Sequence, residues 1–358
     1  MALQTLLVQN LRIIEQIDIS LAADANLFFG ENGAGKTSIL EAIDVLSRGR
    51  SFRERRISPL IHKQATDLVV SGKVGVAEGV AHLGIQKSAK QTVLHCNQEK
   101  VASISQHARY LPVLSIHPDS HQIIQGNGKY RRNYLDWSAF HVKHKFLQNW
   151  RDYNKCLRQR NHAMRTHCNK EELLVWTKQL SILGAEVDIA RSEIFSDISP
   201  IISEYSSKLL PECEIRVSYH RGWPEEVDLA SALYEMSAQE LKSKTTLLGP
   251  HRADLKLFIN QQEAAVTASR GQQKLIAASL LLAQIEHIQR FNNNKCVVLL
   301  DDIRAELDQK HATALIAALQ MLGCQVFITA IELDLIDLQG WKDIKVFHVK
   351  QGICEVQM

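Results

Sequence analysis

The chain lacks a disulfide framework. Its seven cysteines, Cys96, Cys156, Cys168, Cys213, Cys296, Cys324 and Cys354, are scattered over 358 residues. No pair has the close spacing of a thiolate metal knuckle, so a reducing compartment is the expected one. Long apolar runs are missing too: nowhere do about eighteen apolar residues follow one another. The opening MALQTLLVQNLRIIEQ has no basic leader before an apolar stretch, so a cytoplasmic protein without a membrane role is expected. Neither sign of charge is in excess, with 42 Lys or Arg against 39 Asp or Glu and a net charge of +3. That balance excludes a strongly polybasic protein while leaving room for a local basic patch. The 15 histidines contain no HExxH, and His117, His121, His141 and His144 lack a neighbouring ligand set, which argues against structural zinc. No Ser, His and acid grouping can be assembled from spacing, because such triads meet in space and not along the chain. Internal repeats and low-complexity tracts are absent.

The chain does have core-forming material, with 45% hydrophobic and 23% charged residues, at a length that allows one large domain with an inserted lobe or two domains. Ile17, Ile19 and Leu21 alternate, and the apolar run Leu27, Phe28, Phe29 enters a glycine-rich loop. Beyond it, Ile39, Leu40, Ile43 and Leu46 recur at helical spacing. The order is strand, loop, helix. DLVVSGKVGV, QTVLHC and LPVLSI predict further strands between about 65 and 116, in an antiparallel or mixed sheet. From about 130 to 210 the texture is helical, with Trp137, Phe140, Phe146, Leu147, Trp150, Tyr153 and Leu157 as an apolar face. Its periodicity breaks at Gly184, and Pro200 and Pro211 bracket the return to a strand. The last third alternates strands and helices and closes on the strand KVFHV, implying an α/β core with helices covering a sheet. The expected division is 1–130 and 211–358 for the core and 131–210 for an inserted helical lobe.

GENGAGKT, Gly30 to Thr37, fits GxxxxGK[ST] and sits between a predicted strand and a predicted helix. Gly30, Gly33 and Gly35 let the backbone curl, so that the N–H groups of a loop containing Glu31, Asn32 and Ala34 converge on phosphate oxygens at a helix N-terminus. Lys36 supplies a mobile positive charge for the β and γ phosphates of ATP, Thr37 offers a hydroxyl ligand for Mg²⁺, and Ser38 follows in the first turn. Such an NTPase needs a carboxylate at the end of a nearby strand, and KCVVLLDD supplies Asp301 as the Mg²⁺ candidate. Asp302 is placed to orient or deprotonate the attacking water. More than 260 residues separate the two motifs, so something large is inserted. Before the acidic strand, SRGQQKL opens a helix whose amides at Ser269, Gly271 and Gln272 can face a phosphate.

This layout resembles the ATP-binding cassette plan of the SMC and Rad50 ATPase heads, and more closely the bacterial RecF recombinational-repair family. The resemblance runs nearly end to end through NLFFGENGAGKTSILEAI, GRSFR, the HPD segment with YRRNYLD, GPHRADL, SRGQQKL, LLDDIRAELD and QVFITA. It implies a P-loop NTPase fold with an inserted helical lobe. It also implies that Ser269 and Gly271 act in trans on ATP held by a second subunit, with Gln272 among the nucleotide-binding residues and Asp308 in the contact loop. The switch position falls at Ile328 to Ala330, without the histidine common in cassette ATPases. Ala305 stands where the family commonly has serine, and Pro118, Asp119 and Ser120 where it has Pro-Glu-Asp; Gln122 and Gln125 are the nearby candidates for a loop glutamine.

Arg48, Arg50, Arg53, Arg55, Arg56 and Lys63 crowd one stretch against the single acid Glu54, a density that suits phosphate contacts without base reading. Lys129, Arg131 and Arg132, then Lys143 and Lys145, form a second basic group leading into the lobe. His251 and Arg252 fit local packing at least as well as a DNA role. The resemblance implies a weak DNA-dependent ATPase that dimerises on gapped or duplex DNA or single-strand–duplex junctions when ATP binds. It further implies a role in recombinase loading with RecR and RecO, in fork maintenance and in the SOS response. Two alternatives stand beside this: a transporter-type ATP-binding subunit, and a non-catalytic interaction protein stabilised by nucleotide.

Overall fold

A computed structural model describes residues 2–54, 56–77, 79–166, 169–292, 295–333 and 338–357. The chain divides into two compact units, one formed by 1–120 with 293–358 and the other by 121–292. In chain order the first unit contains β1 (Ala2–Leu11), β2 (Ile14–Ser20), β3 (Ala25–Phe29), α1 (Lys36–Arg48), β4 (Asp67–Val76) and β5 (Gly79–Ser88). β6 (Thr92–Cys96), β7 (Glu99–Lys100), α2 (Ser105–Tyr110) and β8 (Val113–Ile116) follow. The second unit holds α3 (Gln122–Gln125), α4 (Gly128–Val142), α5 (Phe146–Arg165), α6 (Lys170–Leu209), β9 (Ile215–His220), α7 (Leu229–Glu235) and α8 (Ser237–Ser243). It ends with β10 (Asp254–Ile259), β11 (Gln262–Glu263), α9 (Ala264–Thr267) and α10 (Arg270–Asn292). The chain then returns to the first unit with β12 (Val297–Leu300), α11 (Ile303–Glu306), α12 (Gln309–Met321), β13 (Gln325–Ala330), β14 (Ile344–Lys350) and β15 (Ile353–Gln357).

Two sheets build the first unit. One is antiparallel in the order β2-β1-β4-β5-β6-β7, and the other runs β15-β14-β3-β13-β12-β8, with every pairing parallel except β14 with β15. β12 and β13 are buried at every position, which is why they read as continuous apolar runs and not as alternating ones. Phe28 of β3 stacks at 4.8 Å on Phe347 of β14 and at 6.5 Å on Phe327 of β13, so neighbouring strands share one aromatic layer. Gln325 ties the two sheets together: its carboxamide accepts from Leu3 N (2.7 Å) and donates to the carbonyls of Leu3 (2.8 Å) and Ala22 (2.7 Å).

The second unit differs from the expected 131–210 lobe, because its helices bury themselves against elements later in the chain. Tyr134 of α4 donates to the Leu280 carbonyl of α10 (2.9 Å), and Gln284 of α10 donates back to the Tyr134 carbonyl (2.7 Å). β9 pairs with β10 through all six residues. The expected breaks in the helical region are also corrected. α6 runs for 40 residues through both Gly184 and Pro200. A Cβ at Gly184 would lie 2.5 Å from Leu229 Cδ2 and 3.2 Å from Tyr153 Cε2, so glycine lets α6 approach its neighbours there and does not end the helix. The strand KVFHV does not close the sheet either; β15 pairs outside it.

Candidate active site

β3 leads into the glycine loop, and α1 starts at Lys36 behind Gly35, whose φ is 110°. Gly30 has φ +146°, and a Cβ there would lie 2.2 Å from the Val349 carbonyl oxygen, whereas at Gly33 (φ +80°) a Cβ would meet open space. The first glycine therefore answers to close packing and backbone angle, and the second to angle alone. Lys36 is buried and donates from Nζ to the carbonyls of Gly30 (2.6 Å) and Glu31 (2.9 Å), which holds its ammonium over the loop. Burial pushes its pKa down, against the opposing pull of Asp302 and Asp301.

The acidic residues come from the other end of the chain. Thr37 Oγ1 donates to Asp301 Oδ1 at 2.8 Å, and Thr329 Oγ1 donates to the same oxygen at 3.0 Å. The Thr329 hydroxyl in turn accepts from Asp302 N at 2.8 Å. Burial raises the Asp301 pKa, with the two threonine hydrogen bonds and Arg53 opposing and Asp302 reinforcing. Asp302 has left-handed angles, φ 50° and ψ 52°, an uncommon conformation that aspartate tolerates better than most residues.

These residues line one cavity of about 390 Å³, with Asn32, Gly33, Gly35, Lys36, Thr37, Ser38, Asp301 and Asp302 among its walls. A hydroxyl and a carboxylate oxygen in contact form a hard-oxygen pair, the donor chemistry Mg²⁺ takes, so the residues present fit that ion. Sequence reasoning missed four wall residues, Arg12, Ile13, Glu41 and Ile331, whereas Thr329 falls inside the expected switch position Ile328 to Ala330. Arg12 sits in the β1–β2 turn and donates to both oxygens of buried Glu41, from Nε at 3.1 Å and Nη2 at 2.9 Å. Those bonds, chiefly, raise its pKa. Ser51 Oγ donates to Glu41 Oε1 at 2.6 Å, tying the start of the basic stretch to α1. Arg12 left no sequence signal, being 18 residues ahead of the loop; Thr329 did, as a hydroxyl near the end of the apolar strand QVFITA.

Arg53 is exposed and lines this cavity, which places it beside the phosphate loop. Arg48 is engaged with Asp44 one turn away. Arg50, Arg56 and Lys63 are exposed, and Arg55 lies outside the described residues, as does Cys168. In the second unit Lys129 is exposed, but two other basic residues depart from the DNA expectation. Arg131 donates to Asp254 Oδ1 (2.7 Å), Asp254 Oδ2 (3.0 Å) and the Gly126 carbonyl (2.7 Å), and Arg132 donates to the Ala253 carbonyl (2.7 Å). Their guanidinium donors hold α4 to β10 and are not turned outward. His251 stands between Tyr153 Oη (2.6 Å) and the Thr246 carbonyl (3.1 Å). A carbonyl cannot donate, so Nε2 carries the proton and Nδ1 accepts from the tyrosine.

Ser269 and Gln272 form a reciprocal cap on α10: Gln272 N donates to Ser269 Oγ (3.3 Å), and Ser269 N donates to Gln272 Oε1 (2.9 Å). Ser269 and Gly271 are exposed, and a Cβ at Gly271 would meet nothing nearer than Ser269 Oγ at 4.0 Å. Asp308 caps α12, accepting from His311 N at 3.0 Å, with its side chain 65% exposed.

Residues 2–355 match the family described as the RecF/RecN/SMC N terminal domain. The chain is 36% identical to the DNA replication and repair protein RecF of Pseudomonas aeruginosa, over 98% of this chain and 97% of that one. It is 37% identical to the protein of the same name from Thioalkalivibrio sulfidiphilus, over 99% of each. Among solved structures, the recombination mediator protein RecF-ATP superposes with a TM-score of 0.89 at 25% identity, covering 100% of this chain and 98% of that one. The Smc head of Pyrococcus yayanosii, at 15% identity with a TM-score of 0.60 over 99% of this chain and 96% of that one, shares the fold alone. Two whole-length relatives above one-third identity and a family match across both units lead to one conclusion: the chain belongs to the RecF family, within the class of SMC-type ATPase heads.

Proposed function

We propose that two copies of this chain, each holding ATP and Mg²⁺ at its phosphate loop, close on gapped or duplex DNA and are released by slow hydrolysis. The carrying observation is the contact of Thr37 with Asp301 inside a cavity that also holds Lys36 and Asp302. In this reading Lys36 leaves its loop carbonyls to neutralise the β and γ phosphates, and the loop amides bind their oxygens. Thr37 and Asp301 hold Mg²⁺, which, when bound, draws charge from the phosphate oxygens. Asp302 orients the water, whose oxygen bonds to the γ phosphorus as the bond to the β–γ bridging oxygen breaks; the water's proton passes to the carboxylate. Arg53 adds positive charge at the same wall.

Gly271 supports the trans arrangement. Glycine costs about 1 kcal/mol in a helix relative to alanine, and nothing within its own unit crowds that position. A partner's nucleotide approaching the exposed first turn of α10 gives the missing side chain a reason, with Ser269 and the amides there gripping the γ phosphate. Asp308 lies in the contact loop of the same dimer. Arg50, Arg56, Lys63 and Lys129 are proposed DNA contacts, and RecR and RecO are proposed partners in loading recombinase. No described helix is long and apolar enough to cross a membrane, and the whole-length relatives are repair proteins, which leaves the transporter alternative without a supporting observation.

The test is light-scattering mass of the chain with a short gapped duplex in ATP plus Mg²⁺ against ADP plus Mg²⁺, for the native protein and Lys36→Ala. A doubled protein mass confined to ATP and lost in the variant is expected. Equal mass in every nucleotide state sinks the switch, and absence of DNA binding sinks the DNA reading.

A further inference from the structure

Helix α5 carries an outward face of one charge. Arg151, Lys155, Arg158, His162 and Arg165 recur at steps of four and three residues, and all five are exposed. At 3.6 residues per turn they fall within an arc of about 80°, on the side opposite the buried Phe146, Tyr153, Cys156, Arg160, Ala163 and Met164. The helix has one acid, Asp152, and Gln148 Nε2 donates to it at 2.8 Å. Arg160, the remaining cation of the helix, points inward and pairs with Glu240 at 2.6 Å.

A surface helix ordinarily intersperses its charges, and several surface cations of this unit stand beside an acid. The exposed cations Lys208, Arg216 and Arg290 pair with Glu204, Glu214 and Glu286, and half-buried Lys143 pairs with Glu193. Among the described residues, Lys155, Arg158 and Arg165 have no ion pair and no side-chain hydrogen bond. On a chain of net charge +3, a helix face with one sign only is a local concentration and not a reflection of overall composition.

We propose that the outer face of α5 is a docking surface for the phosphate backbone of duplex nucleic acid, with Lys155, Arg158 and Arg165 as its main cations. From Arg151 to Arg165 the face is about 21 Å long at 1.5 Å per residue, which spans about six base-pair steps at 3.4 Å each. His162 is the one ring within the arc and exposed Trp150 lies outside it, so the face has no row of aromatic rings for successive unpaired bases to stack on and favours a duplex over a single strand. The proposal rests on the DNA-binding reading above and adds a surface that reading does not include.

The test uses the full chain with Lys155→Gln, Arg158→Gln and Arg165→Gln combined, and a control combining Lys208→Gln, Arg216→Gln and Arg290→Gln, which removes the same charge from the same unit. Anisotropy of a short labelled duplex is followed across a salt series, beside oligo-dT of equal length, and thermal unfolding confirms that both variants fold. Each lost phosphate contact lowers the slope of log affinity against log salt by about 0.9, so the α5 variant should lose about 2 to 3 in slope and at least tenfold in duplex affinity near 0.1 M salt. The control should keep a slope within about 1 of wild type. An α5 variant indistinguishable from wild type overturns the surface alone. A control that falls as far shows a net-charge effect, and a loss confined to oligo-dT contradicts the duplex assignment; each overturns the proposal. A wild-type chain that binds no duplex overturns it together with the reading on which it rests.

Discussion

Thr329→Val removes one hydroxyl at nearly constant volume from the point where both acidic residues meet. That hydroxyl donates to Asp301 Oδ1 at 3.0 Å and accepts from Asp302 N at 2.8 Å. Losing a hydrogen bond to a charged carboxylate costs about 1.5 to 3 kcal/mol, and Asp302 loses the partner of a backbone held at φ 50°. If that cost falls on the transition state, turnover drops roughly 10- to 150-fold. The sign of the pH effect follows from the causes acting on Asp301. Burial raises its pKa and the Thr329 bond opposes that rise, so without the hydroxyl the carboxyl stays protonated to higher pH. The acid limb of hydrolysis should therefore move upward, while ATP affinity, set mainly by the glycine loop, changes little. Single-turnover hydrolysis across a pH series, with calorimetric titration of nucleotide, reads both effects. Thr329→Ser keeps the oxygen and should recover most of the rate. A valine variant with turnover within twofold of wild type and an unmoved acid limb would refute the bridging role.

Four further outcomes are expected. Asp302→Asn should bind ATP normally and accumulate as the dimer on DNA, visible as a persistent doubled mass in light scattering. Gly271→Leu should leave the thermal midpoint unchanged or raised, since leucine gains about 0.8 kcal/mol of helix propensity over glycine, while the ATP-dependent dimer disappears; a lowered midpoint would point to a structural role within the unit. His251 is held neutral, burial bringing its pKa down to about 4. The folded state therefore disfavours its protonated form, and the resulting stability is complete above pH ~6.5 and declines as pH falls toward about 4, with about 2 kcal/mol lost by pH ~5. Urea unfolding at those two pH values should show this loss, and His251→Gln should remove it. Arg160→Leu leaves Glu240 buried without its 2.6 Å partner and should cost about 3 to 5 kcal/mol in the same assay, whereas Arg160→Leu combined with Glu240→Leu should recover part of that loss.

The elements that carry chemistry were legible because local sequence controls them. Gly30, Gly33 and Gly35 satisfy backbone angles in the loop itself, and the apolar run before Asp301 announces a buried parallel strand whatever surrounds it. Ser269 and Gln272 read as a cap because both partners lie within one turn. The helical region was less legible where long-range packing decided the outcome. Gly184 looks like a break until Leu229 and Tyr153 are seen pressing against it. Arg131 and Arg132 look like surface charge until Asp254 and the Ala253 carbonyl, more than 120 positions later, are brought to them. The outward face of α5 was present as spacing, but only the burial of its opposite side separates Arg160 from its neighbours.

The role of Thr329 shows what strand order adds. β13 lies between β3, which carries the phosphate loop, and β12, which carries the acids. The C-terminal ends of parallel strands emerge on the same side of the sheet, so a side chain at the end of the middle strand is within reach of both flanking loops. Thr329 occupies that position and touches Asp301 and Asp302, while Thr37 reaches the same Asp301 oxygen from the far side. Nothing in the chain order, with residue 37 near one end and residues 301 and 329 near the other, places the middle strand there. A hydroxyl near the end of a buried apolar strand is an ordinary sequence feature; between a glycine loop and an acid pair it becomes the link through which a change at one is felt at the other. Arg12 follows the same logic from the other sheet. Its β1–β2 turn reaches the cavity wall and its guanidinium grips Glu41 on α1, four residues after Thr37 and on the same helix face, so the phosphate helix is also held from the antiparallel sheet.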